Sequence, residues 1–299
     1  MKIVVVGSVA FDNVETPFGK VENVLGGSAT FFSVAASFFA PVSVVAVVGS
    51  DFPKSELEFL RSRGVDIEGI EVAAGRTFRW TGRYHEDMNL RDTLDLQLNV
   101  FADFQPKVPA SYRDAEICFL STIHPSLQKS VLAQVSGAKL VGADTMTHWI
   151  EGTRDELIEL LGAVEVLTVN DEEARLLAGE RNVVQAARKI LALGPKSVLI
   201  KRGEYGVLHF SGDSVFAVPA FPLEQVFDPT GAGDVFAGGF IGALAKAGEF
   251  SAATVRRAIV YGSVMASFVV EDFSLNRLRR LTNDDVERRY RQFVALTEF

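Results

Sequence analysis

The run Asp228-Pro-Thr-Gly-Ala-Gly-Asp-Val-Phe236 gathers residue types suited to handling a moving negative charge. Gly231-Ala232-Gly233 has side chains too small to keep a ligand from the backbone, and residues 235–244 read as a helix. A helix N-terminus presents unpaired N–H groups and about half a positive charge to an anion. Such a loop suits the spread charge of a phosphoryl group in transfer, where positioning and electrostatics do most of the catalysis. Asp234 falls in the first turn, where the same field should keep a carboxylate ionised and able to accept a proton. An ordinary capped helix start would use the same residues. Gly238, Gly239 and Gly242, further along, read as points of close packing against a sheet.

Other constellations have double readings of the same kind. Leu25-Gly26-Gly27-Ser28-Ala29-Thr30 is a glycine turn ahead of an apolar helix. Asp12 follows the first strand, and open α/β sheets collect ligands at strand ends. Asn170-Asp-Glu-Glu173 closes a strand and opens a helix, with Asn170 as N-cap and Glu173 as the N3 acid of a capping box. Lys201-Arg-Gly203-Glu-Tyr-Gly206 joins two strands by a glycine turn, and Lys201 or Arg202 could neutralise phosphate. Asp144 stands at the end of a strand with no task assigned. The four histidines lack metal-ligand spacing, and neither a Gly-x4-Gly-Lys-[Ser/Thr] nor a Gly-x-Gly-x-x-Gly run occurs.

Positioning these residues requires a sheet. Apolar, β-branched runs at 3–6, 42–48, 117–120, 139–141, 164–169 and 197–200 alternate with helix-period segments at 28–39, 54–63, 126–135, 155–161, 172–177 and 183–193. Continuous apolar strands between amphipathic helices predict a mainly parallel sheet covered on both faces. Segments 11–24 and 67–103 break the rhythm, and their polar–apolar alternation predicts a small antiparallel sheet serving as a lid. Residues 249–270 and 282–296 read as closing helices.

Composition narrows the field. The 299 residues carry 30 basic and 38 acidic side chains, a net charge of −8. The basic clusters, Arg256-Arg257, 277–280 and 288–291, read as solvated helix faces, so no nucleic-acid partner is expected. No apolar run reaches the ~18–20 residues of a membrane span. Met1-Lys-Ile-Val-Val-Val-Gly7 reads as a buried first strand rather than a leader. The one cysteine, Cys118, lies in an apolar strand and rules out a disulfide framework. These features predict a soluble, cytoplasmic protein without a membrane partner.

The nonapeptide matches the Asp-[Thr or Pro]-Thr-Gly-Ala-Gly-Asp-x-Phe signature of the ribokinase/PfkB family of carbohydrate and nucleoside kinases at every position. Across nearly the whole chain, four motifs resemble that family in the expected order. The resemblance implies a ribokinase-like three-layer α/β/α fold, with 1–299 as a single kinase domain; the projecting small sheet itself reads either as a substrate lid or as a homodimer interface. It also implies ATP-dependent transfer of the γ-phosphoryl group to a CH₂OH hydroxyl of a sugar or sugar-like molecule. A nucleoside is the alternative acceptor, and a non-catalytic sugar- or nucleotide-binding regulator is the rival class.

On the same resemblance, Asp234 is the base and Gly231, Ala232 and Gly233 form the anion hole. Asp12, Gly26 and Gly27 hold acceptor hydroxyls. Asn170 and Glu173 serve Mg²⁺ through water, and Lys201, Gly203, Gly206 and Thr230 line the nucleotide. Asp228, with Thr230, matches positions that bind a monovalent cation such as K⁺ in some members. Residues 266–274 resemble the region flanking the adenine pocket. One departure stands out: Phe31 occupies the place of an asparagine that binds sugar hydroxyls in many members. It reads either as an acceptor-facing ring for a nucleobase, alongside Phe11, Trp80 or Phe101, or as a core residue.

Overall fold

Strand β1 (Ile3–Val6) is buried at every residue, as a strand covered on both faces must be. It leads into a hairpin, β2 (Ala10–Thr16) and β3 (Gly19–Gly26), then α1 (Ser28–Ala36) and β4 (Val42–Gly49). After α2 (Lys54–Ser62) come short strands β5 (Val65–Asp66) and β6 (Ile70–Ala73), then a second hairpin, β7 (Phe78–Tyr84) and β8 (Arg91–Gln97). A regular alternation follows: β9 (Ile117–Leu120), α3 (Pro125–Leu132), β10 (Leu140–Asp144), α4 (Thr147–Gly152), α5 (Arg154–Leu161) and β11 (Val166–Asn170). It continues through α6 (Asp171–Ala178), α7 (Val183–Leu191) and β12 (Ser197–Lys201) to the antiparallel strands β13 (Val207–Ser211) and β14 (Ser214–Val218). The closing helices are α8 (Ala232–Ala247), α9 (Ala252–Val269), α10 (Asn276–Arg280) and α11 (Asn283–Thr297). This computed structural model describes residues 1–298.

The larger sheet has the order β14-β13-β12-β11-β10-β9-β1-β4-β5, with β6 also paired to β4. Every pair from β12 to β5 is parallel, and β13 and β14 extend one edge antiparallel. Alternate residues serve opposite cores. Ile3, Val5, Val42, Val44 and Ala46 join α1, α8 and α9 on one face. Val4, Val6, Val45 and Val47 join α3, α5, α6 and α7 on the other. The result is the expected three-layer α/β/α arrangement.

The lid differs in two respects from its sequence reading. Its order is β3-β2-β7-β8, antiparallel at both outer pairs but parallel between β2 and β7. Both hairpins leave the same edge of a parallel sheet, so their first strands run the same way. The lid is also narrower than 67–103, because β6 pairs with β4 in the main body and Asn99–Asp103 is a short 3₁₀ turn.

Helix α8 is buried at every position from Val235 to Ala245, as expected of a helix apolar on all sides. Its glycines serve neighbouring helices rather than the sheet. A Cβ at Gly238 would lie 2.2 Å from the Phe32 carbonyl oxygen in α1, and one at Gly239 would lie 2.9 Å from Met265 in α9. The C-terminal arginines are likewise not a plain solvated face. Arg277 and Arg289 both pair with Glu271, and Arg280 pairs with Asp272. The Arg289 guanidinium also lies 3.6 Å from the centre of the Phe268 ring. A planar, delocalised cation can cover an aromatic face and hold a carboxylate at once. No described helix is long and apolar enough to cross a membrane.

Candidate active site

Asp144, Asn170 and Lys201 are the last residues of three adjacent parallel strands, β10, β11 and β12. Parallel pairing brings their side chains out at one carboxyl edge, with Asn170 and Lys201 as register partners. The Lys201 ammonium sits 2.9 Å from Asp144 Oδ2, and only 17% and 6% of the two side chains are exposed. Burial works against the lysine's charge, but Asp144 and then Glu173 outweigh it and hold the ammonium above its ordinary value. Asp144, noted in the sequence only as a strand-end acid, is therefore the direct partner of the site's buried cation.

Helix α8 faces this edge with its N-terminus. Gly231, its N-cap, has φ +75°, a left-handed conformation that costs glycine little. A Cβ there would also lie 2.5 Å from the Phe31 ring. The Ala232 amide donates to the Pro229 carbonyl at 3.1 Å. Among the described residues, the Gly231, Gly233 and Asp234 amides have no protein acceptor. The loop thus offers an anion three donors, and Ala232 contributes the turn that aims them. Lys201 reaches the same place, since a Cβ on Gly233 would lie 3.0 Å from its Nζ.

Half-buried Asp234 is not the ordinarily ionised carboxylate that its helix position predicts. Burial first, then the charge of Asp144, pushes its pKa up to about 7 against the pull of Lys201 and Arg91. Desolvation outweighs the helix field here. A carboxylate tuned this close to neutrality is a better proton acceptor than an ordinary aspartate.

Glu173 and Asn170 form the expected capping box. Asn170 Oδ1 accepts from the Glu173 amide at 2.7 Å, and Glu173 Oε2 accepts from the Asn170 amide at 2.8 Å. Burial raises the Glu173 pKa, with Lys201 opposing and Asp144 adding. A buried carboxylate carrying one hydrogen bond suits a hydrated divalent cation, which needs few protein ligands. Among the described residues, no group of three His, Cys, Asp or Glu side chains is arranged to hold a metal by itself.

Asp12 lies on lid strand β2, 5% exposed, beneath Gly26, where a Cβ would fall 1.9 Å from its Oδ2. Burial, followed by Asp228 and Asp234, pushes its pKa up to about 8. The charge of Asp234 thus reaches Asp12 across the gap between the lid and α8. Phe31 is 1% exposed and forms the wall behind Gly231. The placement of Phe31 as an acceptor-facing ring is thus corrected to its core reading. Phe11 is closed off by Phe52 and Arg79, and Phe101 is stacked between Phe78 and Phe104. Trp80 remains half-buried and is the register partner of Asp12, with the Arg91 guanidinium 5.3 Å above its ring.

Asp228 is fully buried, accepting from the Thr230 amide at 2.9 Å and the Ser274 amide at 3.0 Å. Within 266–274, the stretch expected to flank an adenine pocket, Val270 and Ser274 are tied to Phe227 and Asp228 at the start of the anion loop. Thr230 turns its hydroxyl to Tyr84 rather than to the cleft. Gly203 and Gly206 shape the turn after Lys201, and Gly203 packs against Asn89 of the lid. Tyr84 and Arg91 were missed because neither belongs to a local motif.

A family model described as pfkB family carbohydrate kinase matches residues 1–278. A cytidine kinase of Thermococcus kodakarensis is 34% identical over 251 residues, spanning 82% of this chain and 89% of that protein. Among solved structures, Methanocaldococcus jannaschii nucleoside kinase superposes with a TM-score of 0.78 at 20% identity, covering 97% of this chain and 98% of that one. An E. coli protein assigned as ribokinase II, bound to ATP and Mg²⁺, gives 0.79 at 21% identity, covering 99% of each.

The raised Asp12 pKa carries a sign that stability can test. A carboxyl shifted from 3.8 to about 8 by folding destabilises the ligand-free fold as pH rises through that window, and costs nothing below it. Asp12→Asn should therefore raise the thermal midpoint by at least about 3 °C more at pH 8 than at pH 5, because most of the cost accrues between those two values. Equal effects at the two pH values in thermal unfolding scans would refute the assignment.

Proposed function

The chain belongs to the pfkB family of carbohydrate kinases, and from that premise we propose that it transfers the γ-phosphoryl group of ATP to the primary hydroxyl of a nucleoside. As a family member it is a phosphotransferase with an alcohol group as acceptor. The observation that carries the nucleoside reading is the pairing of Asp12 with Trp80 on the cleft face of the lid. Asp12 suits a ribose hydroxyl, and a flat indole beside it suits a base. Gly82 makes room for the indole, since a Cβ there would lie 2.0 Å from the ring. The likeness to a cytidine kinase supports the same reading. A plain sugar acceptor is the second reading, favoured by the breadth of the family.

In this mechanism, Asp12 and the Gly26-Gly27 turn orient the acceptor so that its CH₂OH group approaches Asp234. Asp234 accepts the hydroxyl proton as the oxygen bonds to the γ-phosphorus and the bond to ADP breaks. The Gly231, Gly233 and Asp234 amides, with Lys201, stabilise the charge on the transferring group. Gly203 and Gly206 let the backbone lie along the nucleotide, and Thr230 holds the loop. Mg²⁺, held through water by Glu173 and Asn170, would shield the phosphate charge when bound. Potassium at Asp228 is the part of the resemblance that geometry supports least, because both carboxylate oxygens already accept from amides. No step is assigned to it.

The enzyme would work in the cytoplasm, where ATP is supplied, and as a homodimer through the lid. Edge strand β8 is exposed throughout, and Leu94 and Leu96 on it, with Leu90 and Leu98 at its two ends, are each 43–53% exposed. An unpaired apolar edge of this kind invites a second copy.

Three outcomes test these readings. Asp234→Asn should lower kcat by ~10²–10⁴ with folding and ATP binding retained, and wild-type kcat/KM should fall below about pH 7, where Asp234 protonates. A variant turning over like wild type would remove Asp234 from the base role. In an ATP-consumption screen across nucleosides and sugars, nucleosides should turn over fastest. Trp80→Ala should raise the nucleoside KM by ~5–150-fold, the loss of one stacked base worth ~1–3 kcal/mol, while the ATP KM holds. A preference for sugars, with Trp80 indifferent, would select the second reading. Sedimentation should report a dimer that Leu96→Glu converts to monomer, and a monomeric wild type would reject the lid interface.

A further inference from the structure

Tyr84 is the last residue of β7 and is 7% exposed, yet its ring belongs to neither main core cluster. Its hydroxyl accepts a hydrogen bond from Thr230 Oγ1 at 3.2 Å, across 146 residues of sequence. Thr230 immediately precedes Gly231, so this bond joins the lid to the first residue of the anion loop.

The bond does not stand alone. The Thr230 amide donates to Asp228 Oδ1 at 2.9 Å, Asp228 Oδ2 accepts from the Ser274 amide at 3.0 Å, and Ser274 Oγ donates to the Leu25 carbonyl at 2.5 Å. Leu25 lies on β3, next to Gly26. The loop is therefore braced between two lid strands, β7 through Tyr84 and β3 through Leu25. Ser274 holds φ +54° within this chain, a left-handed conformation that a non-glycine residue keeps only when its surroundings fix it.

The same hairpin touches the nucleotide side. At its tip, Asn89 lies so close to Gly203 that a Cβ there would fall 2.3 Å from the Asn89 Oδ1. Directly across from Tyr84 in register is Arg91, whose charge is felt at Asp12, Glu173 and Asp234. One hairpin thus reaches the acceptor carboxylate, the anion loop and the nucleotide turn together.

We propose that Tyr84 is a positioning residue for the anion loop, holding the Gly231 and Gly233 amides on the transferring phosphoryl group only while the lid is down. This rests on the phosphoryl-transfer reading of that loop. Lifting β7 removes the acceptor of the Thr230 hydroxyl and frees the loop on one side. The amides then lose their aim at the moment the cleft opens to water. That timing limits the competing hydrolysis, in which a water oxygen replaces the acceptor oxygen on the γ-phosphorus, ADP leaves, and the water's proton passes to solvent.

Tyr84→Phe keeps the ring and deletes the hydroxyl. The variant should lose ~5–30-fold in kcat, with both KM values within about twofold of wild type, and the ADP released per acceptor phosphorylated should rise above one. Thr230→Val should act in the same direction, and the double variant should be no worse than the worse single variant, because one bond is shared. Hydrogen exchange in the peptide spanning 225–240 should quicken in ligand-free Tyr84→Phe relative to wild type. Unchanged exchange, an unchanged ratio of ADP to product, or additive losses would each overturn the proposal, as would a lowered thermal midpoint with that ratio intact. Quickened exchange in a protein that phosphorylates no acceptor would sustain the brace and reject the proposed reaction.

Discussion

Four carboxylates, those of Asp12, Asp144, Glu173 and Asp234, converge on a cleft whose one buried ammonium is Lys201. In a desolvated place like charges push each other toward the neutral form, and that imbalance organises everything around it. Lys201 cannot neutralise four acids, so it pairs with Asp144 and leaves the others raised. Arg91 supplies a second, more distant cation from the lid. Holding such a cluster works against folding, and the deep apolar layers on both sheet faces offset that cost. Ligand binding that relieves the repulsion must in turn stabilise the fold by linkage.

The chemistry was legible where it was local. The anion loop with the first turn of the helix it opens lies within nine residues, the Asn170–Glu173 capping box within four, and each folds as its own spacing dictates. The parallel body was legible too, because strands buried on both faces cannot hide their continuous apolar runs. What escaped was set by distance in sequence. Asp144 gains its meaning from Lys201, 57 residues away, and Thr230 from Tyr84, 146 residues away. The Asp234 pKa was misjudged for the same reason: the helix field is a local property, while desolvation comes from the whole assembled cleft. The parallel middle pair of the lid follows from where two hairpins leave the body, which alternation within either hairpin does not encode.

Asp12 sits on the lid and not on the body. Strand β2 begins four residues after β1 ends, so the carboxylate proposed to meet the acceptor sits on the small sheet, while the proposed base sits on α8. On the proposed reaction, the placement of the small sheet over the body is what sets the two against each other. This division gives the hairpins a chemical role as well as a screening one.

The contact between Phe31 and Gly231 has a consequence for how such a protein can change over generations. The ring that fills the place of a sugar-binding asparagine also forms the wall against which the anion loop rests. A mutation there would reshape the catalytic loop although the buried ring does not face the cleft. A polar side chain at this position would therefore need a second, compensating change behind Gly231. Position 31 is thus tied to the loop it supports, and a search for altered specificity would do better to begin at Trp80, whose neighbours are lid residues and not the loop.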